Sequence, residues 1–207
     1  MNEAIAHYTK ALRIQPGAAV AHNNLGNTLL GQGKTDEAIA HYAEALRIRP
    51  GYAEAHNNLG TVLAGQVKVQ EAIAHYTEAL RIQPDYAEAH NNLGLALAGQ
   101  GSTSEAIPHF AEALRIRPGY AEAHSNLGTA LAAQGRNSEA IREFLEALRL
   151  APNRADLHYN AALMLERNGQ QAEAIRHLQI ALDLNPRLQQ AQRELDNLTN
   201  QGEKSGP

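Results

Sequence analysis

AEAHNNLG occupies residues 53–60, recurs unchanged at 87–94, and returns as AEAHSNLG at 121–128. The interval is 34 residues each time. Pro16, Pro50, Pro84, Pro118, Pro152 and Pro186 keep that interval, as do Ala38, Ala72, Ala106, Ala140 and Ala174. Proline lacks an N–H and closes helices, so six prolines in step mark six repeat ends. A fixed period of this length is the signature of stacked modules, each too small to bury its own apolar face.

One period reads as two helices. In 53–86, Ala55, Leu59, Val62 and Leu63 recur at helical spacing and form one apolar stripe. Gln66 to Val69 makes a turn, and Ala72, Ile73, Tyr76, Ala79, Leu80 and Ile82 form the second stripe before Pro84. Gly60 and Ala72 are small where the two helices must approach closely. Gly33, Gly101, Gly135 and Gly169 fall at the turn between the helices, where glycine accepts positive φ. Val67 takes that place in one repeat, and a β-branched residue resists positive φ, so a different turn geometry is expected there. Glu3, Glu37, Glu71, Glu105, Glu139 and Glu173 lie in the first turn of each second helix, and Arg13, Arg47, Arg81, Arg115 and Arg149 in the last, signs that complement the helix dipole. Pro108 falls inside a second helix and removes one backbone bond.

Composition narrows the function. Lys+Arg 18 against Asp+Glu 22 leaves a net charge of −4, without the basic face that nucleic acid or an anionic membrane would require. Cys 0 excludes disulfides, zinc ribbons and thiol catalysis. No apolar run approaches the roughly 18 residues of a membrane span. MNEAIAHYTK has neither the basic flank nor the apolar stretch of a signal peptide, which leads to the expectation of a cytoplasmic location.

The small residue at the crossing, the Tyr or Phe at 42, 76, 110 and 144, and the closing proline resemble the tetratricopeptide repeat family over residues 1–188. His22, His56, His90, His124 and His158 stand where that family usually has a large aromatic. The resemblance implies an all-α fold, an α-solenoid: a right-handed superhelix of antiparallel helix pairs in 34-residue repeats. In this register residues 1–18 are the second helix of a partial repeat, and five repeats follow at 19–52, 53–86, 87–120, 121–154 and 155–188. Residues 189–200 then form a capping helix with a narrow apolar stripe of Ala191, Leu195 and Leu198, and 201–207 a disordered tail. The first helix lacks a partner, so a longer parent array and end-to-end pairing of copies are expected.

In this family the second, fifth, sixth and ninth positions of each repeat line the concave surface. The sixth is Asn24, Asn58, Asn92, Asn126 and Asn160, asparagine every time. The fifth is Asn23, Asn57, Asn91, Ser125 and Tyr159; the second is Val20, Glu54, Glu88, Glu122 and Asp156. A carboxamide offers two donors and an acceptor, so a file of them suits the backbone of an extended peptide. The file resembles the asparagine ladder in the repeat half of O-GlcNAc transferase. The resemblance implies a peptide-binding surface of Asn24, Asn58, Asn92, Asn126 and Asn160, joined by Asn23, Asn57, Asn91, Glu54, Glu88, Glu122 and Tyr159. The acids predict a mildly acidic groove, although acid is favourable in a first helical turn anyway. Tyr159, Leu163, Glu166 and Arg167 change the groove's character in the last repeat.

Ten histidines raise the question of metal. Equivalent residues in stacked helix pairs lie roughly 10 Å apart, too far to share a zinc ion. No HExxH and no i,i+4 histidine pair occurs, so packing is the expected role and no metal or cofactor is expected. Partly buried histidine would make the array acid-sensitive. No GxSxG, Walker A or GxGxxG motif is in place, and no catalytic residue is assigned. The reading is a non-enzymatic scaffold that binds a protein or peptide. The alternatives are the substrate-recruiting arm of a glycosyltransferase and a self-assembling module.

Overall fold

The structure, a computed structural model, describes residues 2–204. Its helices are α1 (Asn2–Ile14), α2 (Ala19–Leu30), α3 (Thr35–Ile48), α4 (Ala53–Gly65), α5 (Val69–Ile82), α6 (Ala87–Gly99), α7 (Thr103–Ile116), α8 (Ala121–Ala133), α9 (Asn137–Leu150), α10 (Ala155–Arg167), α11 (Gln171–Leu184) and α12 (Gln189–Lys204). No strand occurs among the described residues. The even-numbered helices α2 to α10 begin at intervals of 34 residues, and a short turn folds each following helix back. This is an all-α fold of the α-solenoid class. Helix α12 follows the last pair. Of the tail expected over 201–207, residues 201–204 end α12 and 205–207 lie outside the described residues.

The chain forms two compact units, Met1–Leu97 and Ala98–Pro207, with the boundary inside α6. In the first unit, α2 packs on α3 and α4 on α5. Leu25, Leu29, Tyr42, Leu59, Val62, Leu63, Tyr76 and Leu93 share one apolar cluster, with Ile5, Tyr8 and Leu12 of α1 packed against its edge. In the second unit, Phe110, Leu127, Leu131, Phe144, Leu157, Leu165 and Leu178 are buried, and Ala191 and Leu198 of α12 are covered as well. Helix α7 runs through Pro108 without interruption.

The tightest point of each pair is the helix crossing. A Cβ built on Gly26 would stand 2.7 Å from the Tyr42 ring, and one on Gly60 would stand 2.8 Å from Tyr76 and 3.2 Å from the Ala72 carbonyl. The second unit repeats the device with more room: Gly128 meets Phe144 at 3.1 Å. At Gly26 and Gly60 only a hydrogen leaves room for the aromatic ring of the neighbouring helix.

The turn at Val67 corrects the sequence expectation. Val67 has φ of 63°, in the same left-handed region as Gly33 at 75° and Gly135 at 73°. Its hydrogen bonds also match. Val67 N donates to Ala64 O and Lys68 N to Leu63 O, as Gly33 N does to Leu30 O and Lys34 N to Leu29 O. Helix packing on both sides fixes the connection, and the valine accepts the strain.

Three substitutions test these positions by thermal melting. Left-handed backbone costs a non-glycine residue roughly 1–2 kcal/mol, and glycine returns about 0.4–1 kcal/mol through unfolded-state entropy. The Val67 side chain is 83% exposed, so little packing is lost and Val67→Gly should raise the melting temperature. Gly60→Ala gains about 1 kcal/mol of helix propensity but overpacks a tight contact, at a cost of roughly 1–3 kcal/mol. It should lower the melting temperature, while Gly128→Ala should be close to neutral.

Candidate functional site

The sequence puts fifth- and sixth-position amides together on the groove surface, and the structure separates them. Asn23, Asn57 and Asn91 are buried, whereas Asn24, Asn58, Asn92, Asn126 and Asn160 are half-buried. The buried set serves the stack. Asn58 Nδ2 donates to Asn23 Oδ1 of the preceding repeat at 3.0 Å and to Asn27 Oδ1 at 3.1 Å. Asn92 Nδ2 repeats this, to Asn57 Oδ1 at 3.0 Å and Thr61 Oγ1 at 3.4 Å. An amide carries two N–H groups, so both rungs have their donors engaged within the stack. The acceptor Oδ1 of each meets no described residue.

The ninth position completes the network; it was placed on the groove surface from sequence, but only Leu163 of its residues was singled out there. Tyr42 Oη donates to Asn27 Oδ1 at 2.7 Å, and Tyr76 Oη to Thr61 Oγ1 at 3.4 Å. Burial first, then Glu54, pushes the Tyr42 phenol up to about 12, which keeps it a donor at neutral pH. Asn23 Nδ2 donates in turn to Glu54 Oε1 at 3.0 Å. The second-position acids are committed in the same way. Glu54 also accepts from Tyr52 at 3.5 Å, Asp156 takes both arms of Arg154, and Glu88 is partnered. Glu122 is exposed and acts electrostatically on Arg154.

The network stops in the second unit, for reasons visible residue by residue. Phe144 stands where Tyr42 and Tyr76 stood and has no hydroxyl. Ser125 replaces the fifth-position asparagine, so the amide acceptor that Asn23 and Asn57 supply to the next rung is missing. Asn160, the next sixth-position residue, therefore has no partner for its side chain among the described residues, while Asn126 is partnered. The side chain of Asn24 likewise has no partner among the described residues. Tyr159 is half-buried beside Asn160.

Histidines pair within repeats, at a separation of 19 residues, which a comparison of equivalent positions could not reveal. His22 Nδ1 lies 3.0 Å from His41 Nδ1, His56 Nδ1 3.0 Å from His75 Nδ1, and His158 Nδ1 2.9 Å from His177 Nδ1. Each first-helix ring also places Nε2 against the carbonyl of the closing proline: Pro16 at 3.2 Å, Pro50 at 2.9 Å, Pro152 at 3.1 Å. A carbonyl only accepts, so Nε2 carries the proton there and Nδ1 is the acceptor. The second-helix ring must then donate from its own Nδ1. Burial first, and then the facing histidine, lowers the pKa of His41, His75 and His177. Nearby carboxylates oppose the shift: Glu37 and Glu44 at His41, Glu71 at His75, Glu173 at His177, where Arg176 adds to it. Glu143 replaces the second histidine in one repeat and takes His124 Nδ1 at 2.7 Å. No group of three metal-ligating side chains converges among the described residues.

Helix pairs recurring every 34 residues, with a file of polar groups on their first helices, define a protein-interaction scaffold. Family models described as Tetratricopeptide repeat match residues 2–53, 23–87 and 57–121, then 97–164, then 155–188. The chain belongs to the tetratricopeptide repeat family. No curated protein sequence matches it significantly. Among solved structures it is similar to YrrB, described as "a TPR protein with an unusual peptide-binding site". Identity is 26% and the TM-score 0.74, over 90% of this chain and 96% of that one. It shares its fold with a chain of the APC/C hetero-tetramer Cut9-Hcn1 (23% identity, TM-score 0.82), covering 95% of this chain but 39% of that one. It also shares its fold with MamA from Desulfovibrio magneticus RS-1 (22% identity, TM-score 0.72), over 82% of this chain and 96% of that one. Proteins of this fold are typically non-catalytic scaffolds. No described helix is long and apolar enough to cross a membrane.

The hydrogen-bond pattern predicts opposite effects for chemically identical substitutions. Asn58→Ala strips donors from two acceptors, one of them on the fully buried Asn23, and should cost roughly 1–3 kcal/mol. Asn160→Ala breaks no bond and gains helix propensity, so its melting temperature should hold or rise slightly. Equal destabilisation of the two would show that the donors are not what distinguishes them.

The histidine pairs predict acid sensitivity. With folded-state pKa values held below the ordinary 6.5, the unfolded chain binds more protons as pH falls. This contribution is fully present above about 6.5 and is lost as pH drops through the folded values. The melting temperature should therefore fall between pH 7.5 and 5.5, and His41→Gln, His75→Gln and His177→Gln together should flatten that slope.

Proposed function

We propose that this chain is a non-enzymatic scaffold whose first-helix surface binds an extended peptide or peptide-like segment of a partner protein. The observation that carries the reading is the sixth-position file. Asn58 and Asn92 are each locked in one orientation by the stack and leave one carbonyl oxygen open, so acceptors repeat at the interval of the repeats. Fixed acceptors lose little entropy on binding and are indifferent to side-chain identity, which suits backbone recognition. The peptide-binding site ascribed to YrrB supports the same use of the fold. In this reading the committed acids Glu54 and Glu88 tune the groove's potential without contacting the ligand. No residue is given a catalytic role.

The test places bulk and charge where the stack does not need the side chain. Leu95, at a ninth position, is 54% exposed, and Thr129, at another, is exposed. Leu95→Arg and Thr129→Arg should leave helicity unchanged by circular dichroism while reducing partner capture at least tenfold in pull-downs against the unsubstituted chain. Undiminished capture by both variants would remove the groove from the interaction.

A further inference from the structure

We propose that Asn160 and the hollow beside it form an anchoring subsite for one apolar residue of an extended peptide, followed by a basic residue. The Asn160 amide would bond that residue's backbone N–H and C=O, its side chain would enter the hollow, and the basic side chain would meet Glu166 and Glu194. This rests on the groove reading above and goes beyond it by naming where the ligand is gripped and by what chemistry.

Three observations converge. First, Asn160 has a complete, unspent carboxamide, whereas Asn58 and Asn92 have engaged both N–H groups. Donor and acceptor together can hold both polar groups of one backbone residue; an acceptor alone holds one. Second, Asn160 lines a hollow of about 160 Å³ with Thr129, Ala132, Phe144, Leu163 and Met164. Phe144 and Met164 are nearly covered, so they present a rigid apolar floor. Apolar cavities of about 150 Å³ accept a benzene-sized group, which suits leucine or phenylalanine.

Third, the charge beyond the hollow favours a cation. Leu163 follows Asn160, and Glu166 follows Leu163, at steps of three on α10, so Leu163 lies between the other two, with Glu166 about 120° round the helix from Asn160. Glu166 faces Glu194 of α12, and burial together with this second carboxyl raises its pKa, with Arg167 only partly compensating. Two opposed carboxyls are relieved by an ammonium or guanidinium between them. Six residues of helix span about 9 Å, or roughly three residues of extended peptide, so the basic residue should fall within about three positions of the apolar one.

The sequence explains why the site is here. Ser125 and Phe144 each delete a group that, in the first unit, belongs to the network engaging the corresponding amide donors. The missing hydroxyl of Phe144 also makes the floor of the hollow apolar.

The experiment pans a phage-displayed library of random linear 12-residue peptides against the full chain and measures selected peptides by fluorescence anisotropy. The expected result is enrichment of Leu or Phe with Lys or Arg within three positions. Affinity should fall at least tenfold with Asn160→Ala and with Ala132→Leu, which fills the hollow, while both variants keep full helicity. Glu166→Gln with Glu194→Gln should remove the preference for the basic residue and leave the apolar one. Peptides that lose binding with Leu95→Arg yet keep full affinity for Asn160→Ala and Ala132→Leu would overturn the subsite and leave the groove reading standing. If no peptide is enriched, or selected peptides ignore Leu95→Arg and Thr129→Arg as well, both are overturned.

Discussion

The approach of a helix backbone to an aromatic ring governs the rest of the molecule. An isolated pair of helices of about 13 residues cannot bury enough apolar surface to stay folded, so each pair must be thin and must stack. Gly26 and Gly60 achieve the thinness by letting Tyr42 and Tyr76 lie against the partner helix where even a methyl group would collide. That contact fixes how closely the two helices of such a pair approach, and the pairs then stack at the separation their side chains allow. At that separation an asparagine side chain reaches the preceding repeat, and its amide hydrogens find two acceptors. The ring that sets the spacing also supplies, through its hydroxyl, a donor that holds one of those acceptors in place.

The architecture was legible from the sequence because its determinants are local and repeated. Prolines at helix ends, glycines at turns and a small residue at each crossing act within a few residues of themselves. The reading of Val67 shows the boundary of that logic. Intrinsic preference opposes positive φ at valine, but the flanking helices are placed by packing over many residues and outweigh a local cost of roughly 1–2 kcal/mol. Histidine pairing failed to show for another reason. It joins two helices of one repeat across 19 residues and depends on which ring nitrogen the closing proline's carbonyl selects.

The candidate site was half legible. That asparagine fills every sixth position could be read directly, and so could its place on the first helices. Which atoms of each amide remain open could not, because Asn58 and Asn92 are engaged by contacts 31 and 35 residues away whose geometry exists only in the stack. An amide can therefore hold repeats together with its nitrogen and face outward with its oxygen. The choice between a structural and a binding asparagine dissolves for these two residues.

Imperfection of the repeat is what gives the surface a direction. Were every repeat identical, each rung would present the same lone oxygen, and a bound strand could slide by whole repeats at no cost. Losing the hydroxyl at Phe144 and the carboxamide at Ser125 breaks that degeneracy at Asn160, where a hollow and a pair of facing carboxyls accompany the freed amide. A register is fixed by one unlike position more economically than by many specific ones, because the remaining rungs can stay tolerant of sequence. Drift at a few positions of a repeated array is then sufficient to turn a uniform ladder into one with distinct rungs.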